Sequence, residues 1–82
     1  MSFNTHARDA VDPAIPIHQR CSHLRSCALK LAQLRKVPRS TVVTSIADST
    51  SIDVLRNDLD SADIEAALRF IVLNRDKEPE ST

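Results

Sequence analysis

Residues 17–36, IHQRCSHLRSCALKLAQLRK, form the longest uninterrupted stretch of periodic hydrophobicity in the chain. On a helical wheel at about 100° per residue, the apolar residues fall on one arc roughly 160° wide. Successive apolar positions alternate in spacing between four and three residues, which is typical of a helix. An arc this wide favours a helix that packs against two neighbours. The residues that define the arc are Ile17, Cys21, Leu24, Ala28 and Leu31.

Two prolines delimit this predicted helix. Pro16 precedes the first apolar residue, where its missing N–H leaves no helical hydrogen bond unmade. Pro38 disfavours helical geometry at Val37, so we expect the helix to end near Lys36. The chain has no glycine, and asparagine is then the favoured residue for a left-handed helix end.

Composition excludes several kinds of function. The 82 residues make one domain at most. Without glycine, no phosphate-cradling loop of the P-loop or dinucleotide-binding type can form. With only Phe3 and Phe70 as aromatic residues, base-stacking sheets of the RNA-recognition or OB type are also excluded.

The two cysteines and the hydropathy indicate a compartment. Cys21 and Cys27 would lie about 9 Å apart on one helix, beyond the reach of an intrachain disulfide. Free, buried thiols favour a reducing environment. The sequence has no apolar run of about twenty residues and no signal-peptide pattern. We therefore expect a cytoplasmic protein without a membrane segment.

The remaining chain divides into an arm, a domain and a tail. Residues 1–15 show no period and predict a flexible or extended arm, 16–74 a single helical domain, and 75–82 a charged tail. Residues 40–51 are rich in serine and threonine but keep helical apolar spacing, which favours a short helix. The alternative at 41–46 is an edge strand, because β-branched residues alternate there.

Two further helices are expected toward the C-terminus. A short one at 52–57 would be capped by Ser51, and Asn57 and Asn74 are placed for left-handed helix ends. The last helix, at 61–73, would be capped by Asp60. A strand over 69–74, RFIVLN, is the alternative there.

The last helix is apolar around most of its circumference. A helix of this kind is buried on more than one side, and one small chain rarely supplies both sides. The sequence thus predicts an all-α, glycine-free bundle of three to four helices that forms a homodimer. The residues predicted to mediate self-association are Ile64, Leu68, Phe70, Ile71 and Leu73.

Neither the histidine–cysteine cluster nor the acidic cluster predicts catalysis or metal binding. His18 with Cys21 and His23 with Cys27 point to roughly opposite flanks of one helix, so they cannot share an ion. Cys27 and His23 are more typical of packing neighbours than of an activated thiol. The carboxylates around Asp60 match helix capping better than a cation loop. We expect no catalytic residue, no metal and no cofactor, and a protein that is not an enzyme.

Charge is divided between the two halves of the chain. Residues 1–39 hold seven basic and two acidic residues, whereas 40–82 hold four basic and nine acidic residues. Together with the missing chemistry, this predicts a small regulatory or adaptor protein that binds a larger protein partner through an apolar patch flanked by basic residues. The alternative is a helical dimer that binds double-stranded RNA or DNA. The basic residues assigned to either partner are Arg20, Arg25, Lys30, Lys36 and Arg39.

Overall fold

The computed structural model describes residues 2–76, and this part of the chain forms four α-helices and no strand. The helices are α1 (Phe3–Ala10), α2 (Ile17–Arg35), α3 (Arg39–Thr50) and α4 (Ser61–Asp76). The all-helical prediction is confirmed. The strand alternatives at 41–46 and 69–74 are wrong, because both segments lie inside helices. The first two residues of the predicted tail, 75 and 76, belong to α4. The rest of the tail, 77–82, lies outside the described residues.

Helix α2 is the central element of the bundle. It packs against α1, α3 and α4, so its apolar arc meets three neighbours instead of the two expected. Of the residues that define the arc, Ile17 is the exception, since it is 37% exposed at the helix start. The buried residues of α2 are Arg20, Cys21, Leu24, Cys27, Ala28, Leu31 and Ala32.

Helix α1 occupies the segment that was expected to be a flexible or extended arm, so that prediction is wrong for residues 3–10. The Ser2 hydroxyl caps the helix by accepting a hydrogen bond from the Thr5 N–H at 3.3 Å. Phe3 and Ala10 are buried, and Ala7 packs against the same core. These three positions are spaced four and three apart and lie on one helical face.

The helix ends show how a chain without glycine turns. Lys36 ends α2 at φ 59°, ψ 43°, and Ser51 ends α3 at φ 65°, ψ 21°, both in the left-handed region. This conformation costs a non-glycine residue roughly 1–2 kcal/mol. The expectation that Asn57 and Asn74 take this role is wrong. Asn57 lies in the loop after α3, and Asn74 lies inside α4, where its side-chain amide donates to the Phe70 carbonyl at 2.8 Å.

The loop between α3 and α4 replaces the short helix expected at 52–57. The Asp53 carboxylate accepts a hydrogen bond from the Leu55 N–H at 3.0 Å, a local turn that competes with helix formation. Ile52, Val54 and Leu59 are nevertheless buried, so the loop is anchored to the core. Asp60 then caps α4 as predicted, because its carboxylate accepts a hydrogen bond from the Asp63 N–H at 2.8 Å.

Hydropathy of the helices bears on membrane insertion. The longest, Ile17–Arg35, has charged residues along its length and buries its apolar face against the other helices. Across residues 2–76, no helix combines the length and the apolar character that a membrane crossing requires.

The contribution of α1 to stability can be measured with Phe3→Ala. Because Phe3 is 9% exposed and packs on the core, its removal is expected to lower the free energy of unfolding by about 3 kcal/mol in urea denaturation. Asn4→Ala is the control, since Asn4 is exposed on the same helix and its loss should change stability by less than about 0.5 kcal/mol. Equal stability of both variants and the wild type would show that α1 is not docked.

Candidate binding groove

A groove of about 500 Å³ lies where the C-terminal end of α2 meets α3 and α4. Its floor is apolar: Leu31 and Val42 are buried, and Phe70 is half-buried. At its edge Leu34 is 46% exposed. The complete lining is Leu31, Leu34, Arg35, Lys36, Val37, Thr41, Val42, Ser45, Phe70 and Asn74.

The short side chains of α3 explain why the groove stays open. On the side facing the groove, α3 contributes Thr41, Val42 and Ser45. None of these reaches far from the helix axis, whereas the facing residues on α2 and α4 include Leu31 and Phe70. The serine- and threonine-rich composition of residues 40–51 thus leaves apolar side chains partly uncovered and adds hydroxyl groups to the groove wall.

Positive charge flanks the groove at the end of α2. Arg35 and Lys36 belong to its lining, and none of the lining residues found within 2–76 is acidic. The Arg35 guanidinium donates to the Asn74 carbonyl in the last turn of α4, where the partial negative charge of the helix end favours a cation. Within residues 2–76, Lys36 forms no ion pair. Among the described residues, the groove therefore places apolar surface beside the positive charges of Arg35 and Lys36.

The five basic residues predicted to bind a partner are not brought together as one strip. Lys36 lies on the groove. Arg25 and Arg39 share a shallow depression on the outer face of α2, with Ser22, Ser26 and Leu29. Lys30 is near His6 of α1, on another side of the bundle. Of the five, Arg25 and Arg39 are thus shown to line one depression together.

Arg20 has an internal role, contrary to its assignment as a partner-binding residue. Its side chain is buried, with 6% of the residue exposed. Its Nε donates a hydrogen bond to the Ala10 carbonyl at 2.9 Å. This bond gives a donor to the carbonyl of the last residue of α1, which is buried. A charged donor of this kind joins α1 to α2.

The predicted self-association residues divide into two groups. Ile64, Leu68 and Ile71 are 0%, 8% and 0% exposed and pack in the core of a single chain, so they are not available to a second copy. Phe70 is half-buried on the groove, and Leu73 is 53% exposed. Of these five residues, Phe70 and Leu73 are therefore the two with apolar surface left to offer to another molecule.

A histidine pair joins α1 to α2, and sequence reasoning did not find it. His6 Nδ1 lies 2.9 Å from His23 Nδ1, and His23 Nε2 lies 3.9 Å from an Asp9 carboxylate oxygen. Burial lowers the pKa of His6, and the neighbouring His23 lowers it further. Knowledge that residues 3–10 are helical would have placed His6 and Asp9 on one face.

The cysteines are packed, not exposed. Both are free and fully buried. Burial raises the pKa of Cys27 to about 12, so the thiolate is scarce at neutral pH. Among residues 2–76, no group of three or more histidine, cysteine or acidic side chains is placed to hold a metal ion.

No protein-family model matches the chain, and no curated protein or solved structure is significantly similar to it. Function must therefore be inferred from the groove, the exposed leucines and the distribution of charge. The groove combines an apolar floor, hydroxyl groups and positive charge, which together define the chemistry of a molecule that would fill it.

The internal role of Arg20 generates a stability prediction. Arg20→Leu leaves the buried Ala10 carbonyl without its donor, and we expect the free energy of unfolding to fall by about 2 kcal/mol. Arg69→Leu is the control because Arg69 is exposed on α4. Urea denaturation of both variants measures the difference. An Arg20 variant as stable as the Arg69 variant would contradict the assigned role.

Proposed function

We propose that the protein is a non-enzymatic regulatory or adaptor protein that binds an amphipathic, acidic segment of a larger protein in the apolar groove. The observation that carries the proposal is the meeting of an open apolar floor with Arg35 and Lys36, where the lining residues within 2–76 include no carboxylate. An acidic segment with apolar residues on one face complements both features. This is the helix-in-groove mode of peptide recognition.

The dimensions of the groove support a short apolar anchor. Its volume of about 500 Å³ falls in the range of about 300–1,000 Å³ that is typical of ligand sites. Such a space accepts a few side chains rather than a whole domain. Removing apolar surface from water stabilises the complex by about 25 cal/mol per Å², before the losses on association are subtracted. Of the lining residues, Leu34, Val37 and Phe70 have apolar surface still to bury.

Charge at the groove favours an acidic partner over a basic one. Lys36 is exposed and forms no ion pair within the described residues. Long-range attraction of an acidic segment would raise the association rate and would weaken with salt, whereas the apolar contacts would set the lifetime of the complex. An inhibitory action would follow if the bound segment were one that the larger protein needs exposed.

The proposed absence of catalysis is supported by the state of the candidate nucleophile. Cys27 is buried beneath α1, its thiol lies 4.0 Å from the Phe3 carbonyl, and its pKa is raised to about 12. A cysteine nucleophile requires the opposite environment, with access to solvent and a lowered pKa.

The binding proposal can be tested with a defined peptide and two matched leucine variants. The probe is a fluorescein-labelled amphipathic peptide of about 15 residues with leucines at i, i+3 and i+7, a few glutamates on the opposite face and alanines elsewhere. Leu34→Glu places charge at the groove edge, and Leu29→Glu does the same on the outer face of α2, where Leu29 is 42% exposed. Fluorescence anisotropy should show at least a tenfold loss of affinity, about 1.4 kcal/mol, for Leu34→Glu and less than a twofold change for Leu29→Glu.

The charge requirement has its own control. Lys36→Glu should lower the affinity for the glutamate peptide. The same variant should raise the affinity for a matched peptide with lysines in place of glutamates. Equal binding by both leucine variants, or no binding of the acidic peptide at low salt, would overturn the proposal. Binding of a 20-base-pair RNA or DNA duplex that is lost in Arg25→Ala and Arg39→Ala would instead establish nucleic acid as the partner.

Homodimerisation is a second proposal, and it is supported by the exposed Leu73 beside the half-buried Phe70. Phe70→Asp should disrupt self-association and also destabilise the fold, because Phe70 packs against the core. Leu73→Asp is the sharper variant, since its side chain is largely exposed and its fold should be unchanged. Sedimentation velocity at high concentration should show a dimer for the wild type and a monomer for Leu73→Asp. A wild-type monomer would exclude the dimer.

A further inference from the structure

The contact between His6 and His23 is a polar link between α1 and α2. Their Nδ1 atoms are 2.9 Å apart, and the ring centroids are 5.2 Å apart with the planes tilted by 43°. A hydrogen bond between two imidazole nitrogens needs one N–H donor and one unprotonated acceptor. The bond survives the uptake of one proton, because the other ring can still accept. It is lost when both rings are protonated, since both Nδ1 atoms then carry hydrogen.

The charges around the pair do not compensate two added protons. On α2, Lys30 is close enough to His6 to lower the pKa of His6. From α4, the Arg75 guanidinium lies 4.5 Å from the centre of the Phe3 ring, one turn of α1 away from His6. The carboxylate that faces the pair is Asp9, which is also 3.5 Å from Arg8.

Helix α1 covers a thiol. The Phe3 carbonyl lies 4.0 Å from the Cys27 sulfur, and Cys27 has no exposed surface. His23 and Cys27 are four residues apart on α2, so the face that holds the histidine pair is the face that is covered by α1. Departure of α1 would therefore uncover Cys27 while α2, α3 and α4 could remain packed through their own contacts.

We propose that the His6–His23 pair is an acid-sensitive latch that holds α1 on α2 at neutral pH and releases it, with exposure of Cys27, when both imidazoles are protonated. This latch uses no residue of the apolar groove, so it is independent of the proposed binding function.

The direction of the pH effect follows from the burial of His6. Its pKa in the docked state lies below the ordinary value of 6.5, whereas in the released helix it returns toward 6.5. The released state therefore binds more protons in the interval between the two values. The contribution of His6 to the free energy of docking is complete above about pH 6.5 and decreases as the pH falls below that value. Below the lowered pKa of His6, this contribution does not decrease further.

The test measures the reaction of Cys27 with 4,4′-dithiodipyridine, followed by mass spectrometry to assign the modified cysteine. Rates are divided by those of a peptide of residues 24–30 at the same pH. Between pH 7.5 and pH 5.0, the normalised rate should rise at least tenfold in the wild type. His18→Gln should behave in the same way, because His18 is exposed on α2 and outside the pair. In His6→Gln, the normalised rate of Cys27 should be the same at pH 7.5 and pH 5.0, whether that rate is high or low.

Amide exchange of α4, corrected for intrinsic rates, separates release of α1 from general unfolding in acid. The proposal requires α4 to keep its protection at pH 5.0 while Cys27 becomes reactive. An unchanged rate in the wild type, the same rise in His6→Gln, or parallel loss of protection in α4 would each overturn the latch.

Discussion

The broad apolar face of α2 is the constraint on which the bundle depends. It runs almost the full length of the helix and includes Cys21, Leu24, Cys27, Ala28 and Leu31, all buried. A helix with such a face is unstable in water unless other elements cover it. Each of the other three helices in the described chain does so by packing directly against α2. The loop, the caps and the helix ends are arranged around that requirement.

Coverage of this face is uneven, and both functional proposals arise from the unevenness. At one end α1 closes tightly, with Phe3 over Cys27 and a histidine pair between the helices. At the other end α3 supplies only short side chains, so a groove remains beside Leu34. The α1–α2 contact, which includes titratable histidines, is suited to a pH-dependent change. The groove between α2, α3 and α4, with its apolar floor, is suited to binding. The same small chain thus separates the two properties along one helix.

The sequence predicts the elements with strong apolar periodicity and misses those formed by tertiary contacts. Helices α2 and α4 and the Asp60 cap follow from spacing and capping chemistry. Helix α1 has one large apolar residue, Phe3, and its remaining contacts come from alanines that carry little periodic signal. The basic residues were grouped by type, but Arg20 is drawn inward by the Ala10 carbonyl. Partners in space, such as His6 and His23, lie 17 residues apart and have no local signature.

Hydrogen exchange at the amides of α1 tests the central claim most directly. If Phe3–Ala10 is a docked helix that covers α2, its last amides should be protected at neutral pH by at least about a hundredfold over intrinsic rates. Protection should fall in Arg20→Leu, which removes the link to Ala10. Amides in this segment that exchange at the rates of an unstructured peptide would contradict the account, because the part of the α2 face that includes Cys27 would then lack its cover.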